Sequence, residues 1–305
     1  MFAIAEFGST TRYTQDNLSD RDLLVVCGKK SRRKIAEKYQ EQGYSVTLLT
    51  PRQLEFMQKQ GSLFIQHLKH ESRIVVDTNS EFRSWLDRSP FIVPSKSEIH
   101  RCISTVEFIA IWPKDERLIG WKADFLYCVS RDLLIKWLAR EGTLAFGLEE
   151  LESALLAQKS SQFGNLANLR SLRESKFAYR SDQAIPIDTS NAINNWLIEI
   201  SRTFGLNLTT KRFATSEEVV SKLVTKSFSS PYELLRCVEA ANHIMQSHGH
   251  VHPQHEKLMK HIRNPNAYGS SQIRKRRDIE RYLKDIIQIM STSQLQGTHR
   301  FAKCS

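Results

Sequence analysis

No run of eighteen apolar residues occurs in this chain of 305 residues, so no membrane-spanning helix is predicted. The opening Met1-Phe-Ala-Ile-Ala-Glu6 already reads as a strand. It lacks the basic start and long apolar core of a secretion signal, so a cytoplasmic location is expected. Cysteine is scarce. Cys27, Cys102, Cys128, Cys237 and Cys304 lie far apart and form no C-x-x-C pair. They read as reduced thiols, mostly buried, in a cytosolic protein. Internal repeats and low-complexity tracts are also missing. Acidic residues are in the minority, with 33 Asp and Glu against 44 Lys and Arg, which gives a net charge of +11.

A basic balance favours phosphate-rich partners, either nucleotides or nucleic acid. The excess is not evenly spread. Residues 261–305 hold nine Lys and Arg against three Asp and Glu, about half of the total excess. Arg274, Lys275, Arg276 and Arg277 open a helix expected over 271–290, with Ile279, Leu283, Ile286, Ile287 and Met290 as its apolar stripe. Its basic face is either solvated or set against RNA or DNA phosphates.

The pattern along the chain predicts an α+β protein. Residues 3–7, 23–27, 44–49 and 73–76 read as strands, separated by helices over 31–42, from 50 onward and over 63–69. Gly43 is placed to stop the first of these helices. Thr50 and Pro51 suit an N-cap and the first helical position. Residues 1–90 therefore form a small mixed-sheet domain. A linker near 89–95 leads into a helical bundle over 96–182. Helices are expected there around 99–110 and over 121–140, 148–158 and 166–180. A basic, all-α region over 188–305 completes the chain, with helices over 192–204, 216–223, 231–245 and 271–290 and a loose tail after Ser291.

The chemistry is concentrated in Phe7-Gly-Ser-Thr-Thr-Arg12-Tyr-Thr-Gln-Asp16-Asn-Leu-Ser19-Asp20-Arg-Asp22-Leu-Leu-Val-Val26. Gly8 has no Cβ, so backbone can approach a triphosphate closely. Ser9 offers a hydroxyl and an amide to a phosphate oxygen. Asp20 and Asp22 are two residues apart, and the strand period puts both carboxylates on one face. Such a pair suits a magnesium ion, which takes oxygen ligands and shares them with substrate phosphates. Metal ions at such a pair stabilise in-line attack of a hydroxyl on an α-phosphate.

This stretch resembles the minimal nucleotidyltransferases of the DNA polymerase β superfamily. Their pattern is a strand, G-S-x-x-R-G, and then S-D-x-D-L. Gly8, Ser9, Arg12, Ser19, Asp20, Asp22 and Leu23 match it, while Tyr13 replaces the second glycine. Val46-Thr-Leu-Leu-Thr-Pro-Arg-Gln-Leu54 looks like the family's next strand and helix. The later helices resemble, more loosely, the second domain of kanamycin-type nucleotidyltransferases. The resemblance covers residues 2–77 and implies transfer of NMP from an NTP, ATP first, to a hydroxyl. Asp20 and Asp22 would hold Mg²⁺, and Gly8, Ser9, Arg12 and Ser19 would hold the nucleotide. The acceptor would be RNA or a protein, the latter as in minimal nucleotidyltransferase antitoxins.

The family's third carboxylate falls at Thr47, whose alcohol carries no charge to offer a cation. Three readings follow. Another acid takes the role, with Glu6 on the neighbouring strand or Glu107 on a bundle helix as candidates. Alternatively two aspartates suffice, or the domain binds a nucleotide or a partner without chemistry. Asp77, at a strand end, is expected to cap. His248, His250, His252 and His255 read either as a metal cluster or as a loop between helices, which Gly249 and Pro253 favour. Arg236 and His243 have the spacing of the ribonuclease pair of HEPN domains, a spacing that many helices also contain. Trp121, Trp137 and Trp196 fall at core helix positions.

Overall fold

A computed structural model describes residues 1–12, 18, 20–28, 32–113, 115–158, 163, 165–208, 215–228, 231–263 and 273–301. For 32, 33, 216, 217, 261, 263, 273–276 and 293–301 the description is confined to the backbone. The chain is α+β: a four-stranded mixed sheet near the N-terminus, followed by helices. It divides into two compact units. Met1–Ile103 and Ser130–Leu166 form the first, and Ser104–Val129 and Ala167–Ser305 the second.

In the first unit, strand β1 (Ala3–Phe7) leads through a short helix α1 (Ser9–Arg12) to β2 (Arg21–Val26). Helix α2 (Arg32–Gln40) then connects to β3 (Tyr44–Leu49), α3 (Pro51–Lys59), α4 (Leu63–Glu71), β4 (Arg73–Asp77) and α5 (Glu81–Arg88). The sheet order is β3-β2-β1-β4. β1 lies antiparallel to both β2 and β4, and β2 runs parallel to β3. The antiparallel β1–β2 pair aligns Phe7 with Asp22. That register follows from the apolar pattern, because a slip of one residue would turn every side chain to the other face.

Each face of the sheet has its own core. Ala3, Ala5, Phe7, Leu24, Val26 and Leu49 pack with Leu54, Ile65, Leu68, Phe82 and Leu86 from α3, α4 and α5. Ile4, Leu23, Val25, Cys27 and Val46 form the other core, with Ile35 and Tyr39 of α2 against them. Thr50 caps α3 as expected: its hydroxyl accepts from Gln53 N at 3.2 Å and Gln53 Oε1 accepts from Thr50 N at 2.9 Å. Gly43 has φ +82° just beyond α2, a conformation that glycine adopts without strain. Asp77 accepts amide hydrogens from Phe82 and Arg83, both at 2.9 Å, and so caps α5.

The helices that follow are α6 (Lys96–Ile111), α7 (Ile119–Arg140), α8 (Leu148–Ala157), α9 (Ala167–Arg180), α10 (Thr189–Phe204), α11 (Ser216–Thr225), α12 (Pro231–Ser247), α13 (His255–Arg263) and α14 (Ile273–Phe301). In the second unit Trp121 and Trp196 are fully buried, as their spacing predicts, and Trp121 Nε1 donates to the Arg236 carbonyl at 2.7 Å. Trp137, in the first unit, is half-buried. α14 runs well past the end expected at Met290. The Ser291 and Thr292 hydroxyls bond back to the Ile287 and Gln288 carbonyls at 2.9 Å, and nothing between 291 and 296 breaks a helix. Among the described residues no helix is long and apolar enough to cross a membrane.

Candidate active site

The candidate site lies where β1 ends and β2 begins, within the first unit. β1 stops at Gly8, which has φ +77°. The Thr11 amide and hydroxyl both donate to the Gly8 carbonyl, at 3.1 and 2.8 Å, and turn the chain into α1. The Phe7–Asp22 register brings β2 alongside this turn. A Cβ on Gly8 would lie 3.1 Å from Asp22 Oδ2. Glycine is therefore favoured twice, by its backbone angle and by the Asp22 carboxylate, which a side chain there would press on. β2 starts at Arg21, two residues earlier than the sequence suggests, and so includes Asp22. Asp22 is half-buried, and Asp20, immediately before the strand, is exposed. Ser9 is half-buried at the start of α1. Ser19 lies outside the described residues.

Thr10 was not among the residues singled out from the sequence. Its Oγ1 is buried and has no hydrogen-bond partner among the described residues. Only its place one residue beyond Gly8-Ser9 hints at it.

Two other residues are placed differently from expectation. Arg12 does not stand open to a phosphate. Its guanidinium bonds to the buried Glu71 and lies 4.0 Å from Glu150. It fits there because Gly147 has no side chain: a Cβ would lie 3.1 Å from Arg12 Cζ. Burial raises the Glu71 pKa, with Arg12 opposing it. Burial also works against the charged form of Glu150, but the amides of Phe146 and Gly147 and the Arg12 charge outweigh it, and its pKa falls. His67 contacts Glu71, yet burial, Arg131 and Arg12 push its pKa down to about 3. The imidazole is therefore neutral, and it stacks on Phe146 with ring centroids 4.6 Å apart.

Glu6 is on the opposite face of the sheet from Asp22, because it pairs with Leu23 and strand neighbours alternate. It accepts from Arg73 Nε at 2.8 Å and from the Tyr44 hydroxyl at 2.8 Å. Arg21 in turn donates to Tyr44 at 2.7 Å. Burial would raise the Glu6 pKa, but the Arg73 and Tyr44 hydrogen bonds and the two arginine charges outweigh it and lower it. Glu6 thus ties β4, β1 and β3 together, and the geometry does not bring it to the Asp20–Asp22 pair. Thr47 is half-buried beside Leu24, while the β3 residue directly beside Asp22 is Ser45. Glu107 is exposed on α6.

The carboxylates of Asp20 and Asp22 are hard oxygen donors of the kind magnesium takes, and the Gly8 cradle leaves room at Asp22 Oδ2. By donor type these two residues suit that ion, with Asp22 Oδ2 beside Gly8 and Asp20 exposed just before the strand. Among the described residues no group of three or more His, Cys, Asp or Glu could hold a metal ion.

The remaining sequence candidates have structural surroundings. Arg236 is buried and paired with Asp124 at 2.8 Å and Glu239 at 2.9 Å. Tyr179 OH donates to Glu239 at 2.6 Å and lies 3.1 Å from His243 Nε2. His252 is buried, with Nδ1 accepting from Gln254 N at 2.9 Å and its ring edge-on to Tyr282. The histidine-rich stretch is the turn between α12 and α13. Arg277 is exposed, and the side chains of Arg274, Lys275 and Arg276 lie outside the description. No family model, no curated protein and no solved structure matches the chain.

Proposed function

We propose that the chain is a magnesium-dependent nucleotidyltransferase that moves NMP from an NTP, ATP first, to a hydroxyl of a macromolecular acceptor. The supporting observation is the glycine turn against Asp22: a left-handed Gly8 whose lack of a side chain lets the Asp22 carboxylate lie close beside it. Asp20 and Asp22 would hold the magnesium, which supplies charge stabilisation for in-line transfer when bound. Ser9, half-buried at the start of α1, would donate its hydroxyl hydrogen to a phosphate oxygen. Arg12, held by Glu71, would fix the turn from inside the fold. RNA is the first acceptor to test, on the strength of the +11 charge and the exposed Arg277 and Arg281. A protein hydroxyl is the second.

A second reading is a nucleotide-binding regulator without turnover. It is favoured by one observation: serine stands beside Asp22 on β3, and Thr47 follows. One experiment separates the two. The protein is incubated with each labelled NTP, Mg²⁺, and total RNA or lysate. Label transfer that disappears in the Asp20→Ala/Asp22→Ala variant supports the enzyme. Nucleotide binding with no transfer to any acceptor rejects it in favour of the regulator.

A further inference from the structure

The second unit contains a pocket of about 270 Å³ that the nucleotidyltransferase reading does not use. Ala110, Ile119, Ile193 and Leu197 give it apolar lining, and Lys122 of α7 is part of its lining. Lys122 is 9% exposed. Among the described residues its Nζ has one polar partner, the Trp112 carbonyl just past the end of α6, at 2.6 Å. No carboxylate pairs with it among those residues. Asp115 lines the same pocket but is occupied by Arg117, with Nε at 3.0 Å and Nη2 at 3.1 Å. Glu116 is exposed.

An ammonium group loses hydration on burial and here gains only one carbonyl in return. Burial pushes the Lys122 pKa down to about 8. Roughly a quarter of the side chain is then neutral at pH 7.5, against about one in a thousand for an exposed lysine. A desolvated amine beside a pocket that is apolar on one side, with Ser190 and Asn194 also in its lining, is an arrangement that forms Schiff bases with carbonyl compounds.

We propose that this pocket takes small aldehydes or ketones with an apolar body and that Lys122 joins them as an imine. The Nζ lone pair attacks the carbonyl carbon and the C–O π electrons move to oxygen. Both N–H protons reach that oxygen through solvent, it leaves as water, and a C=N bond remains. No oxidant or reductant is consumed. Protonation of the imine by solvent adds one N–H, which the Trp112 carbonyl can accept.

The test uses the full chain with 3-methylbutanal and cyanoborohydride at pH 7.5, with the modified fraction of each lysine read by peptide mass spectrometry. Lys122 is expected to be trapped at least tenfold faster than the exposed Lys59, Lys96 and Lys222, with a rate that rises through pH 8. Leu197→Trp, which narrows the pocket, should slow trapping at Lys122 about tenfold and leave the exposed lysines unchanged. Ala110→Leu serves the same purpose if the tryptophan variant does not fold. Equal labelling of Lys122 and the exposed lysines would overturn the proposal. So would selective labelling that persists unchanged when the pocket is filled. A lysine that only caps α6 gives the first of these results.

Discussion

Replacing Gly8 by alanine tests the geometry at the candidate site most directly. The perturbation has two parts. The first is the backbone: φ is +77°, and a left-handed conformation costs an L-residue about 1–2 kcal/mol. The second is local, because the new methyl would lie 3.1 Å from Asp22 Oδ2 and force that carboxylate to move. Gly43 provides the control. Its φ is +82°, but a Cβ there meets nothing within 4 Å. Gly43→Ala therefore carries the backbone cost without disturbing Asp22. Both variants should lose about 1–2 kcal/mol in urea titrations of the first unit. Only Gly8→Ala should also weaken binding of a fluorescent ATP analogue in Mg²⁺, measured below the onset of unfolding. Equal nucleotide affinity in the two variants would refute the idea that Gly8 makes room for a working Asp22.

Three further outcomes follow from the same contacts. Glu6→Gln should destabilise the protein at neutral pH by about 1.5–3 kcal/mol, the usual worth of hydrogen bonds to a charged group, while leaving nucleotide transfer intact. The Glu6 pKa is lowered in the folded state, so its contribution is complete above the ordinary value of 4.5 and disappears as pH falls through the lower folded value. Urea midpoints of wild type and Glu6→Gln should therefore converge in acid, and a gap that widens there would contradict the assignment. Asp124→Asn leaves Arg180 and Arg236 without their shared carboxylate and should cost about 3–5 kcal/mol by the same measurement. Ser45→Asp should lower the melting temperature without metal and regain it with Mg²⁺, whereas Thr47→Asp should lower it in both conditions. Recovery by Thr47→Asp alone would contradict the register that puts Ser45 beside Asp22.

Much of the first unit was legible because its signals are local. Alternating apolar residues and glycine, proline and threonine punctuation placed all four strands within two residues of their ends, and Gly8, Asp20 and Asp22 were visible as a motif. What failed to show was anything that depends on pairing between distant segments. Glu6 looked close to the site because it lies two residues before Gly8. The β1–β2 register turns it to the other face, and Arg73, sixty-seven residues away, then claims it. Arg12 matched a phosphate-binding pattern, but Glu71 and Gly147, both remote in sequence, decide where it points. Lys122 carried no motif at all. Its character comes from burial and from the absence of an acid partner among the described residues, which no local pattern records.

The register also sharpens what a missing third carboxylate means. Strand residues rise by about 3.3 Å each, so Thr47 lies roughly 7 Å further along β3 than Ser45. The resemblance assigned the vacancy to Thr47, yet the position level with Asp22 is Ser45. A serine there leaves the site less negative than a third acid would, and spares Asp20 and Asp22 the repulsion of a third charge when no metal is bound. On the proposed function, a magnesium ion at Asp20 and Asp22 would then take more of its coordination from triphosphate oxygens and water, since this ion normally binds through one or two carboxylates plus substrate phosphates. A two-acid site of this kind should hold metal mainly together with the nucleotide. Tight binding of magnesium alone would argue that an acid outside the described residues completes the site.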